Sequence, residues 1–329
     1  MKVLVTGSTG HLGEAICRTL KKQETDFIGI DIKEGPMTTI IGSISDRAFV
    51  QKAMKGIDYV LHTATLHKPH VATHSKQDFI DVNITGTLNL LEEAKANGAK
   101  GFIFTSTTST FGDILTPAEN EPAVWVTEDT VPVPKNIYGV TKTAAEDLCQ
   151  LFYRNHHLPC IILKTSRFFP EEDDNKKSRE AYEDLNLKAN EFLHRRVDLE
   201  DVVSAHLLAI EKAEVLGFQK YIISATSPFT QAHLADLQGN APSIIRAIYP
   251  EFEALYKAKK WKMFPKIGRV YVNEKARVEL DWQPKYDFQY VLNCLKKDLD
   301  FRSPITQQIG SKGYHEETFE DGPFPVENN

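Results

Sequence analysis

The sequence predicts an α/β protein: a doubly wound parallel sheet with a smaller lobe built by the C-terminal part of the chain. Three observations point there. Short β-branched runs alternate with helical patterns through the first half of the 329 residues, which implies right-handed βαβ crossovers and a sheet covered on both faces. The first run ends in a glycine-rich turn that opens a helix. Hydrophobic residues make up 41% of the chain, enough apolar surface to exclude a disordered protein.

Residues 2–6 read as a strand and 12–22 as a helix. A strand over 26–31, a short one over 38–41 and a helix over 47–55 follow. Next come a strand over 58–62, a long helix over 77–97 stopped by Gly98, and a strand over 101–106. The segment 108–135 has four prolines and no clear period, and loops of that length are often functional. Residues 136–155 read as a helix and 160–165 as a strand. Beyond Thr165 the pattern weakens. Residues 171–183 are highly charged and are expected to form a solvated loop or frayed helix. Residues 199–212 look helical, 219–225 read as a further strand, and helices and short strands run on to about Arg302. The expected organisation is a nucleotide-binding unit over 1–169, to which 197–226 returns. A substrate lobe is expected from 170–196 and 227–308, and a tail over 309–329 that wraps or dangles.

Charge narrows the partners. The chain carries 39 Lys and Arg against 45 Asp and Glu, a net charge of −6, and has no long basic run, so nucleic acid is not expected as the main partner. No apolar stretch approaches the ~20 residues that span a bilayer. Cys17, Cys149, Cys160 and Cys294 lie far apart without a CxxC, which reads as buried thiols. Lys2 is followed at once by a short apolar run and a turn, unlike a secretory signal, so a cytoplasmic protein is expected.

The run 6–13 reads Thr-Gly-Ser-Thr-Gly-His-Leu-Gly. Gly7 can turn tightly, Gly10 admits a phosphate to the backbone, and Gly13 lets the helix pack on the strand. The helix start then offers unpaired N–H groups and a positive dipole end to a pyrophosphate. Asp31 closes the second strand, where a carboxylate accepts hydrogen bonds from a ribose 2′-hydroxyl and repels a 2′-phosphate, favouring NAD over NADP. Lys33, close by, softens that preference. Tyr138 and Lys142 share one helical face, so the ammonium is expected to lower the phenol pKa and make Tyr138 a proton acceptor for a substrate alcohol. Tyr256/Lys260 and Tyr271/Lys275 repeat the spacing. Tyr138 differs in opening the helix that follows the strand ending in the hydroxyl cluster 105–110.

With these residues in view, the chain resembles the extended short-chain dehydrogenase/reductase group, the NAD-dependent epimerase/dehydratase family, over about residues 1–290. The quotable pieces are TGSTGHLG at 6–13, DYVLHTAT at 58–65, DVNITGTLNLLEEA at 81–94, FIFTSTTSTFG at 102–112, YGVTK at 138–142, SRFF at 166–169 and ARVELDWQPKY at 276–286. The resemblance implies a Rossmann-type domain, bound NAD, Tyr138 as general base with Lys142, and Thr107 as the catalytic hydroxyl beside Ser106. It implies cofactor contacts from Gly7, Thr9, Gly10, His11, Leu12, Gly13, Asp31, Ile32, Ser43, Ile44, His62, Thr63, Ala64 and Thr105. Asn83 would support the site, and Phe169 would lie near the nicotinamide. Substrate contacts are expected from His67, Thr107, Thr108, Arg196 and Arg269, with Arg195 a further candidate for gripping an anion.

Two departures matter. The 4,6-dehydratases of the family carry an Asp-Glu pair where Thr108 and Ser109 stand, so dehydration is disfavoured. Pro170 stands where nucleotide-sugar epimerases usually have a phosphate-contacting Asn, and the following segment is short. His62, His67, His70 and His74 lack a Cys or carboxylate to complete a metal site, and no metal is expected. The resemblance also implies a homodimer through the 77–97 and 136–155 helices. The expected activity is a nucleotide-sugar 4-epimerase. The alternatives are a dehydrogenase or reductase of a sugar, uronate or small hydroxyl compound, and a non-catalytic dinucleotide-binding protein.

Overall fold

Successive side chains of a strand face opposite sides of a sheet, and here both sides are apolar. A computed structural model describes residues 1–313 and Phe319. In β1 (Lys2–Thr6), Val3 and Val5 pack with Leu12, Ile16 and Leu20 of the His11–Lys22 helix, while Leu4 joins Val50, Leu90 and Leu91 on the other face. Burial of each such side chain contributes about 1.5–3 kcal/mol. The remaining strands of this sheet are β2 (Asp26–Asp31), β3 (Ile40–Ile41), β4 (Tyr59–His62), β5 (Gly101–Thr107), β7 (Cys160–Thr165) and β8 (Phe218–Ile223).

All pairings in the sheet are parallel and the order is β3-β2-β1-β4-β5-β7-β8. The direction of growth reverses at β1, so a crevice opens between β1 and β4 at their carboxyl ends. The Leu199–Leu216 helix packs on the same face as His11–Lys22, and the Ile137–His156 helix on the opposite one.

The long connection 108–135 holds structure that its prolines conceal. After a 3₁₀ stretch at Thr108–Leu115, β6 (Val124–Val126) pairs in parallel with β9 (Arg269–Tyr271), forming a second, two-stranded sheet. A separate apolar cluster is built on Phe192, Leu237, Ile245, Phe252, Tyr256 and Phe288. The expected helix over 77–97 is continuous in position but not in type: Lys76–Phe79 and Gly86–Ala96 flank a π-helical turn at Ile80–Thr85. The expectation of a solvated loop or frayed helix over 171–183 fails at Glu171, Asp173 and Asp174. Asp173 and Asp174 are buried against Arg167 and Lys68, Glu171 is buried against His11, and Lys176–Ala181 is a short, exposed helix. The expected tail over 309–329 falls largely outside the described residues. Among the described residues no helix is long and apolar enough to cross a membrane.

Candidate active site

The parallel sheet brings the carboxyl ends of β1, β2, β4, β5 and β7 to one edge, and a cleft of about 750 Å³ runs along it. Its floor at β1 is the glycine turn. Gly7 has φ +73°, a left-handed conformation that side chains disfavour. A Cβ on Gly13 would lie 2.0 Å from the Gly7 carbonyl oxygen, so only glycine lets this helix start so close to the strand. No side chain caps the His11–Lys22 helix, and its first turn opens into the cleft. Uncapped N–H groups at a helix start, in a cleft that glycine keeps open, fit a dinucleotide diphosphate.

Asp31 ends β2 in the same cleft. Its carboxylate accepts hydrogen bonds from the Thr9 and Lys33 backbone N–H groups, both at 3.0 Å, which holds it beside the turn. Thr9, Gly10, His11, Leu12, Ile32, Ser43, Ile44, Thr63, Ala64, Thr105, Ser106 and Phe169 line the same space. His62 does not. It is buried behind the crevice, its Nδ1 bonded to Thr6 Oγ1 and its Nε2 to Thr87 Oγ1, and burial holds it neutral, well below the usual histidine range. Asn83 also stands behind the wall. On the π-helical turn, its amide nitrogen donates to Leu66 O and Thr141 Oγ1, and its oxygen accepts from Leu66 N and Thr65 Oγ1. It thereby ties the loop after β4 to the helix that carries Tyr138.

The Asn136 side chain caps that helix by accepting from Gly139 N, which places Tyr138 in the first turn, facing the cleft. Thr107 lines the same cleft, and its hydroxyl acts on the phenol. Lys142 lies behind them. Its Nζ donates to Thr105 O at 2.7 Å and sits 3.9 Å from the centroid of the Phe104 ring. The expected acidification of the phenol is not what this arrangement produces. Burial pushes Tyr138 up to about 12, with the Thr107 hydrogen bond opposing the rise. Burial brings Lys142 down to about 7, and Glu146 opposes that fall. Both groups disfavour their charged forms because neither is hydrated.

The outer half of the cleft is lined by His67, Thr108, Arg195 and Arg269. The His67 ring stacks on Phe169, with centroids 5.4 Å apart, and lies 6.5 Å from the Tyr138 ring. Arg195 bonds Glu191 at 2.8 Å, and Arg269 donates to Leu115 O at 3.3 Å. Each keeps a buried Nε without a hydrogen-bond partner. Arg196 departs from its expected place. It does not line this cleft, because its guanidinium turns inward onto Phe169 O and Glu191. Glu171 and Lys312 line the cleft although neither carried a local sequence signal. Glu171 accepts from the backbone N–H of Lys312, 141 positions further along the chain, and its buried carboxylate also contacts His11 at 2.7 Å.

A glycine turn, a terminal Asp on β2, and Tyr138 with Thr107 share one crevice, an arrangement that fits a bound dinucleotide. The chain belongs to the NAD dependent epimerase/dehydratase family, whose model matches residues 3–223. Members of this family are enzymes and their cofactor is NAD. The chain is 25% identical over 333 residues to UDP-glucose 4-epimerase of Lactobacillus helveticus, covering 87% of this chain and 93% of that one. It is 32% identical over 161 residues to the N-acetyl-alpha-D-glucosaminyl-diphospho-ditrans,octacis-undecaprenol 4-epimerase of Escherichia coli O157:H7, covering 46% of this chain and 43% of that one. Several curated relatives are matched over only 39–56% of their length. In fold it is similar to a short-chain dehydrogenase/reductase superfamily protein of Agrobacterium tumefaciens with bound NAD (TM-score 0.63, 21% identity, 91% of this chain and 98% of that one). It is likewise similar in fold to UDP-glucose 4-epimerase of Thermotoga maritima with UDP-glucose (TM-score 0.62, 21% identity, 91% and 100%).

Proposed function

We propose that the protein is an NAD-dependent 4-epimerase of a nucleotide sugar. The observation that carries this reading is the placement of Tyr138 and Thr107 in one cleft, with the buried, unpartnered Nε atoms of Arg195 and Arg269 on its wall. Bound NAD supplies the hydride acceptor and donor. Thr107 and Tyr138 converge on the sugar 4-hydroxyl, and Tyr138 takes its proton. Protonated Lys142, behind the hydroxyls, is the positive charge this reading assigns to stabilise the phenolate that proton removal requires. Arg195 and Arg269 offer guanidinium donors to the anionic part of the substrate. The same Tyr138 returns the proton when the 4-keto sugar is reduced on its other face, so cofactor is not consumed.

The test is incubation of the protein with UDP-galactose, UDP-glucose and UDP-glucuronate. Epimer should appear by NMR without accumulation of NADH absorbance. Stoichiometric NADH would overturn the reading in favour of a net dehydrogenase of a smaller hydroxyl compound. One observation favours that second reading: Pro170 does not line the main cleft, and its carbonyl is taken by Lys188 Nζ at 2.6 Å, so no side-chain donor stands there for a nucleotide phosphate.

We also infer a homodimer through the two helices that cover the Asn83 side of the sheet. Ile80, Val140 and Leu151 expose apolar surface there.

A further inference from the structure

The turn Thr6–Gly13 contains no Lys or Arg, yet two buried carboxylates stand beside it. Glu14 is in the first turn of the phosphate-facing helix, and Glu171 reaches His11 from the opposite wall. A diphosphate dianion brought to this turn meets repulsion from both, and in a partly dehydrated cleft that repulsion is stronger than in water. The helix start offsets it only in part, being worth about half a charge.

A cation reaches this point from the far end of the chain. The Lys312 ammonium pairs with Glu14, and the Lys312 backbone N–H donates to Glu171 at 2.9 Å. The Gly313 N–H approaches the same oxygen at 3.4 Å. Burial would raise both carboxyls, but Lys312 and Arg18 outweigh it at Glu14, and His11 with the Lys312 N–H outweighs it at Glu171, so both stay ionised. Lys312 and Gly313 line the cleft together with the turn. The segment is anchored just before it. Ile309 packs in the same core cluster as Leu12, and Thr306 Oγ1 bonds the Asp198 carboxylate at 3.1 Å.

We propose that residues 310–313 complete the dinucleotide site, with Lys312 as the counter-charge to the cofactor's diphosphate and Glu171 as the post on which the segment is held. Cofactor exchange then requires the segment to lift off the turn. The proposal rests on NAD as cofactor and not on the identity of the sugar, so its failure and that of the epimerase reading are separable.

The test compares Lys312→Met with the unaltered protein for equilibrium binding of NAD, ADP-ribose and adenosine, and for the rate of NAD release from the holoenzyme. NAD and ADP-ribose should bind about tenfold more weakly to the variant, the scale of one lost charge-assisted contact, and NAD should leave correspondingly faster. Adenosine, which has no phosphate, should bind equally well to both, and Lys312→Arg should restore most of the loss. NAD affinity within about twofold of the unaltered protein would overturn the proposal, since that is under 0.5 kcal/mol. Equal weakening of adenosine would also overturn it, because the segment would then merely prop the cleft. Glu14→Gln is an independent arm. It should tighten NAD and ADP-ribose but not adenosine, and unchanged or weaker NAD binding contradicts the repulsion on which the argument is built.

Discussion

Burial acts on Tyr138 and Lys142 in opposite directions, and the two results meet within reach of neutral pH only for the lysine. The phenol is pushed up to about 12 and the amine down to about 7. A phenolate at Tyr138 therefore depends on positive charge supplied close by, and Lys142 is the amine placed behind the hydroxyl pair. Asp31 is simpler. Its carboxylate is fixed by two backbone N–H groups at the end of β2, so it presents a negative charge where a 2′-phosphate would come. Asp31→Ser should reduce the preference for NAD over NADP by about tenfold, an effect of about 1.4 kcal/mol, as measured by the ratio of the two dissociation constants. An unchanged ratio would mean that discrimination lies elsewhere.

The elements show which parts of the site could be read from local sequence. The glycine turn, β1, β2 and the Tyr138 helix were legible because each rests on short-range physics: a positive φ at Gly7, short apolar runs, and a cap by Asn136. The strand Val124–Val126 was not, because its partner, Arg269–Tyr271, lies far along the chain and three residues carry too little period. The π-helical turn around Asn83 was hidden for a different reason: an inserted turn leaves an apolar pattern still helical in appearance. Arg195 and Arg196 are adjacent and chemically alike, and only the fold decides that the first faces the cleft. The acidic run 171–174 looked solvated because its partners, Lys68, Arg167, His11 and the Lys312 backbone N–H, cannot be inferred from neighbouring positions. The helix faces bearing Ile80, Val140 and Leu151 carry a prediction of their own. Sedimentation should give twice the 37.2 kDa chain mass, and Val140→Glu should shift it towards the monomer. A monomeric unaltered protein would remove the proposed contact.

At the scale of the whole molecule, the sheet's two buried faces also enclose charge-capable groups, which makes stability depend on pH. His206 is buried between Val202 O and Thr105 Oγ1, and burial lowers it to about 4. Folded His206 stays neutral while the unfolded chain binds a proton, so its contribution is full above about pH 6.5 and is lost as pH falls towards 4. The loss is about 3 kcal/mol at the lower end. Asp201 acts oppositely, since burial raises it to about 7, so the readout is a difference between proteins rather than one curve. His206→Gln should show a smaller drop in Tm between pH 7 and pH 4.5 than the unaltered protein, and an equal drop would contradict the assignment. The same sheet carries the central claim, because it sets the ends of β1 and β5 beside the helix of Tyr138 and so brings turn, hydroxyls and phenol into one crevice. Tyr138→Phe tests it most directly, with turnover measured on the UDP-sugar that the unaltered protein converts and NAD affinity measured alongside. Turnover should fall by about 10²–10⁴-fold with NAD binding preserved, and a variant that turns over as fast as the unaltered protein would show that proton transfer does not pass through this phenol.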